Sequence, residues 1–253
     1  MNESLFKQLV LAWIALAVIL FPLLLKVKAP YGRHTSNKWG PLVNNRAGWI
    51  LMELPSLILF ASLALTGSLY GKLWLFFGVW ILHYTNRIFV YPLRTRTRGK
   101  EIPLLIVLLA TFFNLVNGFV NGYWLGHLAG GLEQGAAGSG TVSALIAGII
   151  LFAGGFLLNQ VADNHLISLR KGKQGGYYIP SHPVFKYISC PNFLGEIIEW
   201  TGFALMTWSL PGLSFAIWTA VNLLPRAVHH HRWYRDTFPD YPKERKALIP
   251  GIL

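Results

Sequence analysis

The stretch Asn192-Phe193-Leu194-Gly195-Glu196-Ile197-Ile198-Glu199-Trp200 opens an apolar run that reaches Leu210. Glu196 and Glu199 stand near its start, and a third carboxylate, Glu53, lies inside the run Ala47 to Tyr70. A charged side chain at mid-bilayer costs roughly 2.5–3.5 kcal/mol on insertion scales, so an acid inside an apolar span marks a functional site by default. The reading of this stretch decides the fold class: either these acids belong to a soluble core, or the chain lives in lipid.

Composition points to lipid. The 253 residues are 53% hydrophobic and 13% charged, with mean hydropathy +0.44. A soluble domain is about 25% charged. Further apolar runs cover Gln8–Leu25, Leu73–Tyr91, Ile102–Leu128, Gly135–Ala162 and Gly212–Pro225. At roughly 20 residues per span these make about seven transmembrane helices, the last two short. The expected fold class is all-α and polytopic, one membrane domain over residues 1–253. The first run is longer than a signal-peptide core, and Lys-rich sequence follows it, so it reads as a retained helix.

The net charge of +12 is a topology signal. Connector Lys26–Arg46 carries five Lys/Arg, Arg94–Lys100 four, Arg170–Lys186 four, and the tail from Arg226 six. The alternate connectors are nearly bare. Basic connectors face the cytosol, which puts the N-terminus outside and the C-terminus in the cytosol. Charges spread over connectors do not make a nucleic-acid surface. Cys190 is the one cysteine, so neither an intrachain disulfide nor a Cys-based zinc site can form.

Several constellations stand out. Asn159 and Asp163 share a helix face at i, i+4, and Arg170 follows near that face. They form either a structural ion pair or a polar wall for a ligand. Pro191-Asn192 reads as a helix start with Asn192 as N-cap and Glu196 favouring the helix dipole. Arg226, His230 and Tyr234, at intervals of four, make a stripe suited to phosphate oxygens, or a membrane-interface anchor. Adjacent side chains on a helix diverge, so His229 to His231 are not expected to share a metal.

In the N-terminal half, Glu53 and Tyr84 stand out. An acid in apolar surroundings is expected to keep its proton and donate a hydrogen bond. Beside a phenol it resembles the acid-plus-tyrosine groups that polarise a ketone. The alternative is a Glu bonded to a neighbouring helix. No G-x-G-x-x-G after a strand, Walker A or G-x-S-x-G motif is present.

These residues resemble the steroid 5α-reductase family. The resemblance rests on NFLGEIIEWTGFALMTWSL (Asn192–Leu210) and HHHRWYRDTFPDYPKERKALIP (His229–Pro250). Asn159-Gln-Val-Ala-Asp163 through Arg170-Lys171, Tyr177-Tyr178-Ile179-Pro180, Glu53-Leu54-Pro55-Ser56 and His83-Tyr84-Thr85-Asn86-Arg87 extend it along nearly the whole chain. It implies a seven-helix membrane reductase using NADPH, here a bacterial member of the inner membrane, or an endoplasmic reticulum enzyme if the source is eukaryotic. It assigns cofactor binding to Asn159, Asp163, Arg170, Tyr177, Asn192, Glu196, Arg226, His230 and Tyr234, and ketone polarisation to Glu53 and Tyr84. Residues to about 130 would face the substrate, and those from about 135 the cofactor. The expected partners are a steroid or another hydrophobic enone and membrane lipid, with no metal. One departure touches substrate preference: Met52 stands where eukaryotic members typically carry Gln. Rival readings are a reductase of another enone or sterol double bond, an isoprenylcysteine-type methyltransferase using S-adenosylmethionine, and a lipid-binding scaffold. The roles of His83, Arg87 and Glu199 stay open at this stage.

Overall fold

The computed structural model describes residues 1–95, 99–130, 142–170 and 176–253. It is built mostly of helices: α1 (Glu3–Lys26), α2 (Asn45–Leu65), α3 (Leu73–Thr85), α4 (Tyr91–Arg94), α5 (Leu104–Tyr123), α6 (Val142–Ser168), α7 (Pro191–Thr207) and α8 (Leu210–Thr237). A π turn, Asn86–Val90, joins α3 to α4, and another, Trp124–Leu128, prolongs α5. Among the described residues, five helical stretches are long and apolar enough to cross a membrane: Glu3–Lys26, Asn45–Leu65, Leu73–Arg94, Leu104–Leu128 and Val142–Ser168. The other two expected spans are less plain. Helix α7 has 17 residues and carries both Glu196 and Glu199, and the apolar part of α8 ends at Pro225.

The chain divides into two compact units. One comprises Met1–Val10, Ala29–Thr141 and Thr207–Pro211; the other comprises Leu11–Lys28, Val142–Met206 and Gly212–Leu253.

Among the described residues, the first unit departs from all-α at a short ribbon. Strand β1 (Leu42–Asn44) pairs antiparallel with β2 (Glu101–Pro103), setting Val43 opposite Ile102. Each strand leads directly into a helix, β1 into α2 and β2 into α5, so the ribbon starts the two helices side by side. Asn44 caps α2, its side chain accepting from Arg46 N and Ala47 N at 3.0 and 3.1 Å. Ile102, fully buried, packs with Met52 and Val107 just beyond. Farther along, Gly118, Gly122 and Gly126 recur every four residues. A Cβ on Gly122 would stand 2.8 Å from Phe60 Cα and O, and one on Gly118 would stand 3.2 Å from Ser56 Cα and O. Small residues at this interval let two helix backbones touch, which replaces the hydrophobic drive that lipid cannot provide.

The second unit uses the same device. Gly148 and Gly155 on α6 face Gly202 and Gly195 on α7, seven residues apart on both sides. A Cβ on Gly195 would sit 2.6 Å from Asn159 N, and one on Gly202 would meet the backbone of Phe152. Helix α1 lies along α8 through Trp13 and Trp218, whose rings are 4.6 Å apart, with Trp218 Nε1 donating to Trp13 O at 3.1 Å.

The break between α7 and α8 lies at Trp208, which has φ 45°, and Ser209. Pro211 sits in the first turn of α8, where a missing N–H costs nothing. One local expectation is corrected: for the same reason α7 starts at Pro191, which places Asn192 inside the helix instead of at its cap, and its first turn carries no acid. Glu196 lies beyond that turn, so a helix-dipole role does not explain it.

Candidate active site

In the first unit, Tyr84 ends an aromatic column. Phe60 stacks on Trp80 at 4.4 Å, Trp80 stacks on Tyr84 at 5.2 Å, and Trp80 Nε1 donates to Ser56 O at 3.3 Å. Offset stacking of this kind holds each ring in one orientation. The Tyr84 hydroxyl donates to Asn114 Oδ1 at 3.5 Å. Asn114 in turn donates from Nδ2 to Met52 O at 2.6 Å and to Glu53 Oε2 at 3.4 Å. Sequence reasoning selected Glu53 and Tyr84, and both lie within reach of this one amide.

Arg87 supplies the charge. Its Nε lies 3.3 Å from Glu53 Oε1, with both side chains mostly buried. The guanidinium lies over the rings of Trp49, at 4.7 Å, and Tyr91, at 5.8 Å, while Trp49 Nε1 donates to Arg87 O at 3.1 Å. The π turn that begins at Asn86 brings Arg87 to α2. Such one-turn widenings concentrate at functional sites. Glu53 is thus bonded to neighbouring helices, which was the alternative left open for it. Both of its oxygens accept, and a protonated acid can do that while still donating its own proton elsewhere.

Asn114 was missed because α5 presents three asparagines in an apolar run. Asn117 Nδ2 donates to Phe113 O at 2.7 Å and Asn121 Nδ2 to Asn117 O at 3.0 Å, each one turn back along their own helix. Asn114 instead reaches α2. A polar residue in a membrane span was the available signal; that Asn114 reaches α2 is a tertiary fact.

All nine cofactor candidates lie in the second unit. The glycine contact brings α6 against α7, and three of the nine then link by hydrogen bonds. Asn159 Nδ2 donates to Asn192 O at 3.0 Å, and Asn192 Nδ2 donates to Asp163 Oδ1 at 3.0 Å. Asn159 and Asp163 are both about nine-tenths buried. Helix α8 does continue through His230 and Tyr234, so the stripe from Arg226 exists as spaced. The Arg226 guanidinium lies 4.8 Å over Phe193, whose ring is 5.4 Å from His230. The Arg170 guanidinium lies 5.1 Å over Tyr177, whose ring meets Trp233 edge-on at 5.1 Å. Tyr234 is buried and stacked on Tyr241 at 5.2 Å. Glu196 is on the same helix as Asn192, one turn on. Glu199 is fully buried at the point where α7 passes Gly155.

The three histidines diverge. His229 Nε2 meets Leu25 O at 3.1 Å, His230 faces Phe193, and His231 Nδ1 meets Ser189 Oγ at 2.7 Å. The polar tail is not loose. Ser189 N donates to Lys246 O and Cys190 N to Ala247 O, at 2.8 and 3.1 Å, just before α7 begins. Ala247 and Leu248 join Cys190, Phe193, Leu223 and Ala227 in one buried cluster. Ser189 Oγ also lies 2.6 Å from the Tyr241 hydroxyl. Burial pushes the Tyr241 phenol up, opposed by hydrogen bonds from Ser189 and Arg245.

Comparison with known proteins gives the family. The family described as 3-oxo-5-alpha-steroid 4-dehydrogenase matches residues 100–253. The chain is 42% identical over 251 residues to 3-oxo-5-alpha-steroid 4-dehydrogenase 2 of Homo sapiens, covering 96% of each chain. It is 40% identical over 257 residues to steroid 5-alpha-reductase DET2 of Solanum lycopersicum, covering 99% of this chain and 98% of the relative. It is 37% identical over 233 residues to 3-oxo-5-alpha-steroid 4-dehydrogenase 1 of Rattus norvegicus, covering 90% and 87%. The chain belongs to the 3-oxo-5-alpha-steroid 4-dehydrogenase (steroid 5-alpha-reductase) family.

Proposed function

We propose that this protein reduces the Δ4 double bond of 3-oxo-Δ4 steroids to 5α-reduced 3-oxo steroids with NADPH. The observation that carries the reading is the buried set Tyr84, Asn114, Glu53 and Arg87, held on apolar helices of the first unit. A phenol and a carboxyl converging on one amide suit a carbonyl oxygen that gains charge. Methyl transfer would need no such group.

The donor set of the second unit fits a pyridine dinucleotide. Arg170, Arg226 and His230 suit phosphate oxygens, including a 2′-phosphate. Asn159, Asp163, Asn192, Glu196, Tyr177 and Tyr234 suit ribose hydroxyls and a carboxamide. When bound, NADPH supplies a hydride to C5 of the enone. Tyr84 and Glu53 then stabilise the negative charge that develops on the C3 oxygen by hydrogen bonds that strengthen as the charge grows. A proton reaches C4 afterwards. The apolar walls exclude water, which makes each of those hydrogen bonds stronger than in solution.

The reading includes an integral membrane protein of seven spans, the N-terminus outside and the C-terminus cytosolic, in a bacterial inner membrane. The alternation of basic and bare connectors supports that orientation. Residues to about 130 would serve the steroid or a related hydrophobic enone, and those from about 135 the cofactor. The test is direct. Purified protein in detergent or liposomes receives NADPH and a 3-oxo-Δ4 steroid, and products are followed by mass spectrometry. A 5α-reduced 3-oxo product with matching NADPH consumption is expected; an unchanged steroid across a panel of 3-oxo-Δ4 substrates overturns the proposal.

A further inference from the structure

We propose that Asn114 is a positioning residue for the reduction, the amide that sets which way the Tyr84 hydroxyl and the Glu53 carboxyl present themselves to a ketone. The inference rests on the reductase reading and deepens it.

Asn114 is buried, with 4% of its surface exposed. Its Nδ2 lies 2.6 Å from Met52 O, a backbone acceptor that cannot turn away. Flipping the amide would set two oxygens face to face at that distance, so Nδ2 is held toward α2 and Oδ1 toward α3. An Nδ2 carries two hydrogens. One goes to Met52 O, and the other is left to point at Glu53 Oε2, at 3.4 Å. The opposite end, Oδ1, can only accept, so the Tyr84 hydroxyl must donate to it, at 3.5 Å.

The two bonds to Glu53 and Tyr84 are long, at the edge of hydrogen-bonding range. A long bond orients a group and yields easily. A ketone oxygen arriving beside Tyr84 can therefore take over the hydroxyl proton at little cost, while the short bond to Met52 O keeps the amide in place. Asn117 Nδ2 and Asn121 Nδ2 instead donate one turn back along α5. The β1–β2 ribbon contributes as well. It aligns the starts of α2 and α5 and so brings Asn114 level with Met52 and Glu53.

Two variants test the role. Asn114→Leu removes both donor and acceptor at similar volume; kcat is expected to fall roughly 10–100-fold, the range that loss of reactive geometry produces, with the KM for NADPH within about twofold of wild type. Asn114→Asp keeps the acceptor for Tyr84 and places a second carboxyl before Glu53. Two acids that close share a proton, so its activity should be low at neutral pH and recover as pH falls, while Asn114→Leu does not recover. A residue that only supports the fold would give two variants with lowered thermal midpoints and an unaltered pH–rate profile. Wild-type kcat in a folded Asn114→Leu, or no pH-dependent recovery in a folded Asn114→Asp, overturns the inference. If either variant fails to fold, the other decides by the same criterion. If wild-type protein reduces no 3-oxo-Δ4 steroid, the reductase reading itself fails, which is a separate outcome.

Discussion

Arg87 Nε stands 3.3 Å from Glu53 Oε1, so the acid that the sequence shows isolated in an apolar run has a cation beside it. Removing the guanidinium leaves a buried acceptor of Glu53 without its donor, at a cost of about 1–3 kcal/mol. Arg87→Ala should lower the thermal midpoint in detergent by several degrees and reduce turnover. Arg87→Lys should rescue only part of both, because an ammonium cannot stack on Trp49 and Tyr91 as a guanidinium does. The double variant Glu53→Gln with Arg87→Met should be more stable than Arg87→Ala, since Met refills the space over Trp49 and Tyr91 that Ala leaves empty. Equal unfolding midpoints for all three would show that the pair is energetically silent.

Glu53→Gln preserves shape and removes the acid. Loss of one group that stabilises a developing oxyanion costs roughly 10²–10³ in kcat. We expect that loss in steroid turnover with NADPH affinity intact. Turnover near wild type removes Glu53 from the chemical step.

Asp163→Ala breaks the link from Asn192 and should weaken NADPH binding by roughly tenfold or more, as loss of a charge-assisted hydrogen bond of about 1.5–3 kcal/mol implies. The readout is direct titration of folded protein with NADPH. Unchanged affinity separates Asp163 from the cofactor.

Gly154 and Gly155 give a contrast one residue apart. A Cβ at Gly154 meets nothing within 4 Å, while one at Gly155 runs into Glu199 N and Gly195 O. Gly154→Ala should be neutral, or stabilising by up to about 1 kcal/mol through helix propensity. Gly155→Ala should lower the unfolding midpoint and, by moving α6 off α7, weaken NADPH binding too. Similar midpoints for the two variants would disprove the close helix contact.

Tyr241 provides a pH dependence. Its folded-state phenol is raised above the ordinary value of about 10. The contribution is therefore complete below about pH 10 and is lost as pH rises through the folded value, because the unfolded chain releases that proton first. Unfolding midpoints measured across alkaline pH should fall less steeply for Tyr241→Phe than for wild type. Parallel curves would exclude a role for this phenol.

Much of the fold was legible because burial in lipid leaves a one-dimensional trace. An apolar run of some 20 residues needs no partner to be recognised, so the five plain spans could be read from hydropathy. The less plain helices failed that test for a stated reason: α7 carries two acids and α8 turns polar at Arg226. The i, i+4 pairs were legible too, since helix periodicity alone puts Asn159 with Asp163 and Arg226 with His230. The ribbon was not. Leu42–Asn44 and Glu101–Pro103 are three residues each and nearly sixty apart, and neither has a pattern of its own.

The sequence by itself determined that this is a helical membrane protein of the 3-oxo-5-alpha-steroid 4-dehydrogenase family, because apolar length, charge placement and long local motifs are properties of the chain. Only the tertiary structure decided what stands against each buried polar group. Arg87 reaches Glu53 through a widened turn, and Asn114 Nδ2 crosses to Met52 O while the Nδ2 groups of Asn117 and Asn121 donate back along α5. Asn192 serves Asp163 across a glycine contact instead of capping its own helix. Such pairings depend on the rotation and register of one helix against another, which close backbone packing sets and local periodicity does not contain.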